Sequence, residues 1–364
     1  LTGTDAVTGN RFTVVGKSPK TGGWGDANCG GDFGPAMKFA GFDHVFFKGI
    51  ASEPVVVVLN SGKVEIKPAG DLWGKGCLET EDALGAEYGS SAKVACIGPA
   101  GERMSLLACV INAKGRAAGR SGLGAVMGAK KIKAIVALGK EKVPVADEEG
   151  LKALRKDIIA GYKAENPGFD LFSKYGTAGV TANTVLMGDG PIKNWAGASD
   201  SFPTIDKISD DSVYAIQEKP YGCWRCPVAC GGHVKVKEGT WAGAEGHKPE
   251  YETLAAYGSM CLNDDLGSIV QANNLCNDYG MDTISAGTTV AFAMDLYEQG
   301  IITKDDLGGI DLKWGNADAV CAFTEQLAKG EGPAAGLFGD GMKAAVDKIG
   351  DKAAEFATHS GGEE

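Results

Sequence analysis

Apolar residues alternate with polar ones, or run together in short stretches, along the first 140 or so residues. Both patterns are typical of strands, buried on one face or on both. They predict strands at 11–17, 44–49, 54–60, 63–67, 93–97, 104–111 and 131–138. Ser61-Gly62 separates two of these stretches and favours a hairpin turn there. Helical spacing over 73–88 predicts a helix between the strands.

From about Asp147 onward the period of the apolar positions changes to that of a helix. Helices are predicted at 151–163, 267–279, 283–299 and 317–329. The predicted fold class is therefore α+β. A β-rich N-terminal domain at 1–143 is followed by a mostly helical domain at 144–364.

Composition narrows the possible function. The chain has 364 residues and a net charge of −11, which argues against general binding to nucleic acid or to an anionic membrane. No apolar run reaches the roughly 18 residues that a membrane span requires. The 55 glycines cluster in loops such as 21–31, where backbone can approach a ligand closely.

The ten cysteines are too sparse for a secreted disulfide scaffold, so we expect a reduced, cytoplasmic compartment. The chain begins with Leu1 and ends in a polar stretch, and from this we expect an interior piece of a longer protein.

Three cysteines lie close together in YGCWRCPVAC, at Cys223, Cys226 and Cys230. Thiolates are soft ligands that suit zinc or iron–sulfur iron. Zinc would normally use a second closely spaced pair of ligands, and a single nearby His233 is a poor substitute. Three cysteines with a remote fourth are a known arrangement for a cubane cluster. The spacing favours iron–sulfur and leaves zinc or thiol–disulfide chemistry open.

A glycine-rich run covers residues 115–128 and contains Arg116 and Arg120. Glycines before a helix can expose backbone N–H groups to an anion, and arginines can add charge and forked donors. The order of residues is neither that of a P-loop nor that of a dinucleotide fingerprint. Close packing of a small-residue helix on the sheet explains the run equally well.

Two further stretches carry candidate chemistry. Glu250 and Glu252 follow His247, and carboxylates beside an imidazole suit proton transfer, although acidic residues also favour the start of a helix. In CNDYGMDTISAG, Gly280 is predicted to end one helix and Asp282 or Thr283 to cap the next.

Together these segments resemble the aldehyde ferredoxin oxidoreductase family, tungsten enzymes with a bis-pterin cofactor beside a 4Fe–4S cluster. The resemblance covers nearly the whole chain. The segments that carry it are GNRFTVV, GGDFG, the 119–133 run, CWRCPVACG, PEYETL, NLCNDYGMDTISAG and LKWGN. It implies a β-rich pterin base under helical domains.

The resemblance also implies residue roles. Cys223, Cys226 and Cys230 would be three of the four cluster ligands, with the fourth outside this chain, or else at Cys261, Cys276 or Cys321. The residues implied to contact the pterins, or a magnesium ion bridging their phosphates, are Asn28, Gly30, Arg120, Ser121, Gly122, Asn277, Met281 and Asp282. Asn277 and Met281 depart from the D-x-x-G-L-D pattern of the family. Glu250 or Glu252 would lie near the tungsten, or molybdenum, and act as acid/base, with His247 as another candidate.

The implied activity is oxidation of aldehydes to carboxylic acids with water, with electrons leaving through the 4Fe–4S cluster to ferredoxin or a partner subunit. We expect a homo- or hetero-oligomer. One alternative is the tungsten subunit of class II benzoyl-CoA reductase, which resembles the same family. Another is a non-catalytic electron-transfer or zinc-stabilised scaffold subunit.

Overall fold

The computed structural model describes all residues from 1 to 364. Its strands form a hairpin, a three-stranded sheet and a six-stranded sheet. The strands are β1 (Phe12–Lys17), β2 (Trp24–Cys29), β3 (Val55–Asn60), β4 (Lys63–Pro68), β5 (Lys93–Cys96), β6 (Val110–Asn112), β7 (Arg116–Ala118), β8 (Ile132–Leu138), β9 (Gln217–Tyr221), β10 (Gly231–Lys235) and β11 (Glu245–His247).

The six-stranded sheet has the order β4-β3-β8-β5-β6-β7. Only β3 and β8 are parallel; the other neighbours are antiparallel. The run Val55–Leu59 is buried throughout, as expected for a strand covered on both faces. The hairpin β1–β2 and the sheet β11-β10-β9 are separate from this sheet, and β9–β10 flank the three closely spaced cysteines.

Helices dominate the second half of the chain. The α-helices are α1 (Phe33–Phe39), α2 (Cys77–Tyr88), α3 (Pro99–Glu102), α4 (Leu123–Ala129), α5 (Glu148–Glu165), α6 (Pro167–Tyr175), α7 (Thr181–Leu186), α8 (Asp210–Ala215), α9 (Tyr251–Tyr257), α10 (Leu266–Tyr279), α11 (Thr283–Glu298), α12 (Ala317–Lys329), α13 (Gly332–Phe338), α14 (Met342–Ile349) and α15 (Asp351–Ala354). The 3-10 helices are Gly70–Leu72, Arg120–Gly122, Gly176–Val180, Ser199–Ser201, Ile205–Ile208, Ser259–Cys261 and Asp305–Leu307.

Two hydrophobic clusters cover the two faces of the large sheet, and a larger one fills the helical region. The helical cluster surrounds α11, from which twelve residues are buried. It also takes in residues from the first part of the chain, namely Ala100, Leu107, Ala108 and Ala125. The β-rich and helical regions therefore share a core.

The predicted α+β class is confirmed, with a β-rich region followed by a helical one. The predicted helices form with ends shifted by a few residues at most, and the Ser61-Gly62 hairpin joins β3 to β4. The predicted domain boundary after residue 143 stays a prediction.

Two strand predictions were wrong. Residues 44–49 form no strand, although Val45 and Phe47 contact the core while Phe46 is 87% exposed. They alternate as a strand would, but no neighbouring strand supplies hydrogen bonds. Of 104–111, only the end becomes β6, because Met104 takes a positive φ of 62° and the following residues turn into the helical core.

None of the helices combines the length and the apolar character that crossing a bilayer requires.

Candidate functional site

The loop between β9 and β10 carries the three cysteines. Residues Arg225 and Ala229 take positive φ values of 51°, which fold the loop tightly, and Cys226 N–H donates to Cys223 O at 3.0 Å. All three thiols are free and half-buried. The loop contacts the turn after β2, where Trp224 N–H donates to Gly31 O, and a side chain at Gly30 would come within 2.9 Å of Cys223 Sγ.

The donor set of this loop fits a soft metal, since it offers three thiols and no disulfide competes for them. No three His, Cys, Asp or Glu side chains are already arranged around a common point where a metal ion could be held. The other cysteines considered as a fourth ligand are hydrogen-bonded in the helical core. Cys261 contacts Ala256 O, Cys276 contacts Tyr257 Oη, and Cys321 contacts Ser268 O.

Glu250 lies beside this loop, and its hydrogen bonds connect the helical region of the chain to the β-rich region. Arg116 Nη1, at the start of β7, donates to Glu250 Oε1 at 2.8 Å. Thr177 Oγ1 donates to Glu250 Oε2 at 2.5 Å and accepts from Tyr251 N–H at 2.8 Å. Both carboxylate oxygens of Glu250 are therefore engaged.

Glu252 is placed differently. It lies in the first turn of α9, is exposed, and has no hydrogen-bond or salt-bridge partner. The two glutamates that sequence could not separate thus differ: Glu250 is an anchor between regions, and Glu252 is a free carboxylate.

Several buried polar atoms around Arg116 have no hydrogen-bond partner. They are Arg116 Nε and Nη2, Tyr221 Oη, His247 Nε2 and Asn112 Oδ1. Buried polar groups are nearly always paired in folded proteins. A concentration of unpaired ones next to the cysteine loop fits a polar ligand or cofactor in this place.

Burial and neighbouring charges shift the pKa values of two residues beside the cysteine loop, His247 and Cys230. Burial, with the Arg116 charge, lowers the pKa of His247 to about 4, so its imidazole is neutral at pH 7. Burial raises the pKa of the Cys230 thiol, and the Glu250 charge adds to this. A cation bound at this thiol, such as a metal ion, would favour its thiolate form.

A second group of predicted residues surrounds Arg120, four positions after Arg116. Ser121 and Gly122 take φ values of 70° and 66°, which turn the chain into α4. Arg120 Nη1 donates to Asp282 Oδ2 at 3.0 Å. The Glu363 carboxylate accepts from Ser121 N–H at 3.0 Å and lies 3.3 Å from Arg120 Nε. Here Glu363 occupies the position of an anion, so this turn can hold an anionic group such as a phosphate.

The residues 277–282 form the helix–turn–helix that the sequence predicted. Gly280 ends α10 with a φ of 71°, and the Asp282 side chain caps α11 by accepting from Ile284 and Ser285 N–H groups. Asn277 and Met281 are buried, and Met281 bridges to Ala108. This turn therefore lies against the segment that leads to Arg116 and Arg120.

Asn28 and Gly30 lie at the end of β2. The Asn28 side chain donates to Thr13 Oγ1 at 3.0 Å and accepts from Arg11. Gly30 O accepts from Asn112 Nδ2 at 3.2 Å. Gly30 thus lies between the cysteine loop and the large sheet, whereas Asn28 is exposed and contacts Arg11 and β1. Neither residue is hydrogen-bonded to Arg120.

The later part of the glycine run serves close packing, one of the two purposes considered for it. A side chain at Gly128 would come within 1.8 Å of Gly101 O, and one at Gly124 within 2.5 Å of Cys109 O. These glycines let α4 pack backbone to backbone. Only the earlier part of the run, around Arg116 and Arg120, faces the site residues.

A large apolar cleft of about 830 Å³ lies elsewhere, between β1, α1 and one face of the large sheet. It is lined by none of the predicted site residues.

Sequence reasoning missed Tyr221, Thr177 and Lys248. Tyr221 precedes the cysteines by two residues, which was a usable signal. Lys248 lies between the candidates His247 and Glu250, which was also a usable signal. Thr177 is 73 residues from Glu250 in sequence, and only the folded chain brings it there.

Comparison with known proteins settles the family. Residues 1–139 match the family described as "Aldehyde ferredoxin oxidoreductase, N-terminal domain", and 153–364 match "Aldehyde ferredoxin oxidoreductase, domains 2 & 3". The chain belongs to the aldehyde ferredoxin oxidoreductase family.

Sequence similarity to curated proteins agrees with this family assignment. Tungsten-containing aldehyde ferredoxin oxidoreductases of Pyrococcus furiosus and Thermococcus kodakarensis are each 40% identical, over 93% and 90% of this chain. The WOR-like subunit of an aliphatic sulfonate oxidoreductase of Pyrococcus furiosus is 29% identical over 89% of it. This chain covers 55%, 54% and 53% of these three proteins, so it spans about half their length.

Among solved structures, the active site complex BamBC of benzoyl coenzyme A reductase, bound to 1,5-dienoyl-CoA, has a similar fold. The TM-score is 0.83, with 27% identity over 100% of this chain and 56% of that one.

Proposed function

We propose that this chain is the cofactor-binding part of a tungsten bis-pterin oxidoreductase that oxidises aldehydes to carboxylic acids with water. The observation that carries the proposal is the concentration of buried, unpaired polar atoms beside three free thiols. The 40% identity to tungsten-containing aldehyde ferredoxin oxidoreductases supports it.

Cys223, Cys226 and Cys230 would hold a 4Fe–4S cluster. Asn28, Gly30, Arg120, Ser121, Gly122, Asn277, Met281 and Asp282 would hold the pterins and their bridging magnesium ion. The bound cofactors would supply oxygen transfer from water to the aldehyde carbon and remove two electrons toward ferredoxin or a partner subunit.

Within the protein, we assign the proton transfer to Glu252. A general base needs a free lone pair that can reach the reacting water or aldehyde hydrate. Glu252 is exposed and unpaired, whereas Glu250 already accepts from Arg116 and Thr177. His247 is a poorer candidate, because it is buried and its Nδ1 is committed to Lys248 O.

The matched variants Glu252→Gln and Glu250→Gln test this assignment in the full-length protein. We expect Glu252→Gln to lower aldehyde turnover about 10²–10⁴-fold while tungsten and iron stay bound. Glu250→Gln should weaken the contact with Arg116 and lower stability. Full turnover by Glu252→Gln, measured with a viologen acceptor, would show that another group moves the proton.

Metal analysis of the full-length protein tests the activity class. We expect about one tungsten or molybdenum and about four irons per chain. One zinc without tungsten would instead identify a zinc-stabilised scaffold.

The structural similarity to the benzoyl coenzyme A reductase complex favours a second candidate, reduction of an aromatic thioester. The higher identity to aldehyde-oxidising relatives weighs against it. Turnover of acetaldehyde or benzaldehyde, compared with that of benzoyl-CoA, decides between the two.

A further inference from the structure

The apolar cleft of about 830 Å³ has no part in the site described above. Its floor is one face of the six-stranded sheet, which contributes side chains such as Val110, Ile132 and Ile135. Strand β1, helix α1 and residues 43–49 line it as well. Open apolar surface on this scale is typical of a place where another part of a protein binds.

Residues 44–49 line this cleft and lack hydrogen-bonding partners for their backbone. They alternate as a strand does, since Val45 and Phe47 pack against the core while Phe46 is 87% exposed. No backbone N–H of this segment donates a hydrogen bond, and the one carbonyl that accepts is that of Gly49, from a lysine side chain. Backbone groups of an extended segment are normally paired, and in a sheet a neighbouring strand pairs them.

Strand β1, which also lines the cleft, has a free edge. It pairs with β2 alone, in a sheet of two strands. In an antiparallel pair, every second residue directs its N–H and C=O away from the partner, so the outer edge of β1 presents unpaired groups. Val15 on this strand is 49% exposed. Two strand-like segments with open backbone groups therefore line the same cleft.

The charges around the cleft discriminate between possible occupants. Its lining residues include four cations and one carboxylate, namely Arg11, Lys38, Lys48, Lys130 and Asp43. Asp43 is ion-paired with Lys38, which leaves three cations without a carboxylate in the cleft. In a two-fold dimer the same surface meets itself, so these cations would face their own copies. The charges thus disfavour a second copy and favour a segment that carries acidic residues beside apolar ones.

The polypeptide itself can supply such a segment. Residues 1–364 cover 55% and 54% of the tungsten-containing relatives from Pyrococcus furiosus and Thermococcus kodakarensis. Those proteins therefore have a comparable length of chain beyond the part that matches. A tethered segment docks at a high effective concentration, so it needs little intrinsic affinity. It can also be short, because a strand as long as 44–49 spans only about 20 Å.

We propose that an extended segment of the same polypeptide, outside residues 1–364, pairs as a β-strand with residues 44–49 and covers the apolar cleft. Its main chain bonds to the open N–H and C=O groups, and every second side chain enters the cleft. The pairing supplies the partner that the alternating pattern of 44–49 lacks. It depends neither on a cofactor nor on the proposed oxidation of aldehydes.

Photocrosslinking in the full-length protein identifies the occupant. Benzoylphenylalanine is placed at position 46, where the exposed ring of Phe46 leaves room for a larger side chain. After irradiation, mass spectrometry of the digest should show crosslinks from position 46 to a peptide of the same chain outside 1–364. The control carries the same group at position 66, because Ile66 is 69% exposed on β4 and does not line the cleft. It should not crosslink to that peptide.

The other crosslinking results count against the proposal. Crosslinks to a second copy would show a dimer interface, and crosslinks to a different protein would show a partner's docking surface. Crosslinks confined to 1–364, or none at all, would show that the cleft stays open. Each of these results would overturn the assignment to a segment of the same polypeptide.

Hydrogen exchange of the full-length protein tests the strand pairing itself. Amides of 44–49 should exchange about 100-fold or more slowly than unpaired amides, because sheet hydrogen bonds must open before exchange. Residues 237–240 are the control, since they form an exposed loop whose N–H groups also lack partners within 1–364. Equal exchange rates in the two segments would overturn the pairing. Both measurements proceed without turnover, so a failure of the proposed activity does not affect them.

Discussion

At the scale of single residues, position in the fold decides chemical role. Glu250 and Glu252 are two residues apart and chemically identical, yet one is tied to Arg116 and Thr177 while the other is free. No sequence pattern separates them, because the partners of Glu250 lie 134 and 73 residues away.

His247 makes stability depend on pH. Its pKa is about 4 in the fold, mainly because burial disfavours the charged ring, and 6.5 is its ordinary value. Below pH 6.5 the unfolded chain binds a proton that the folded chain does not, so stability falls as pH drops from 6.5 toward 4. The loss of unfolding free energy is at most about 3–4 kcal/mol, from roughly 1.4 kcal/mol per pH unit.

Urea unfolding between pH 7.5 and 4 checks this prediction. His247→Gln should lose less stability on acidification than the wild-type protein. His44→Gln is the control, since His44 is exposed and should leave the pH dependence unchanged. If the free energy of unfolding depends on pH in the same way in the wild-type protein and in both variants, His247 is not the group responsible.

At the scale of elements, close contact between backbones determines which glycines cannot be replaced by a larger residue without loss of stability. Helix α4 packs on α3 with no room for a Cβ at Gly128, whose nearest neighbour would be the Gly101 carbonyl oxygen at 1.8 Å. That neighbour is backbone and cannot rotate away.

Gly128→Ala should therefore lower the free energy of unfolding by about 2 kcal/mol or more, since overpacking a tight contact forces the backbone apart. Gly161→Ala is the matched control, because Gly161 lies within α5 with nothing inside 4 Å. It should raise stability by about 0.5–1 kcal/mol through helix propensity. Similar effects of both changes in a denaturant titration would contradict this account of α4.

The same scale shows why some elements were predictable. Helices such as α10 and α12 depend on local periodicity and caps, and Asp265 and Asn316 supply those caps. A strand needs a partner as well as a pattern. Residues 44–49 have the pattern alone, whereas β2 and β7 form because β1 and β6 lie beside them.

At the scale of the whole molecule, the shared core is the main structural fact. Leu107 is 1% exposed and belongs to the helical cluster, although it lies in the β-rich half of the chain. The salt bridge Arg116–Glu250 also joins the two halves.

We therefore expect one cooperative unfolding transition for residues 1–364. Leu107→Ala should lower stability by about 2–5 kcal/mol, because it leaves a cavity in the shared core. The midpoint of unfolding should move to the same lower denaturant concentration whether it is followed by near-ultraviolet or by far-ultraviolet (helical) circular dichroism. Two separate transitions, with only one of them moved, would indicate independent domains on either side of residue 143.

The sequence by itself determined the order of helices and most strands, the three candidate thiol ligands and the family resemblance. These features depend on residue type and on spacing over a few positions, and such local patterns are enough to favour a helix, a strand or a turn. Only the tertiary structure decided that Glu250 is an anchor, that Glu252 is free, and that Arg116, Tyr221 and His247 enclose unpaired hydrogen-bonding atoms. Those properties arise from contacts between residues far apart in sequence, and burial gives them their energetic weight.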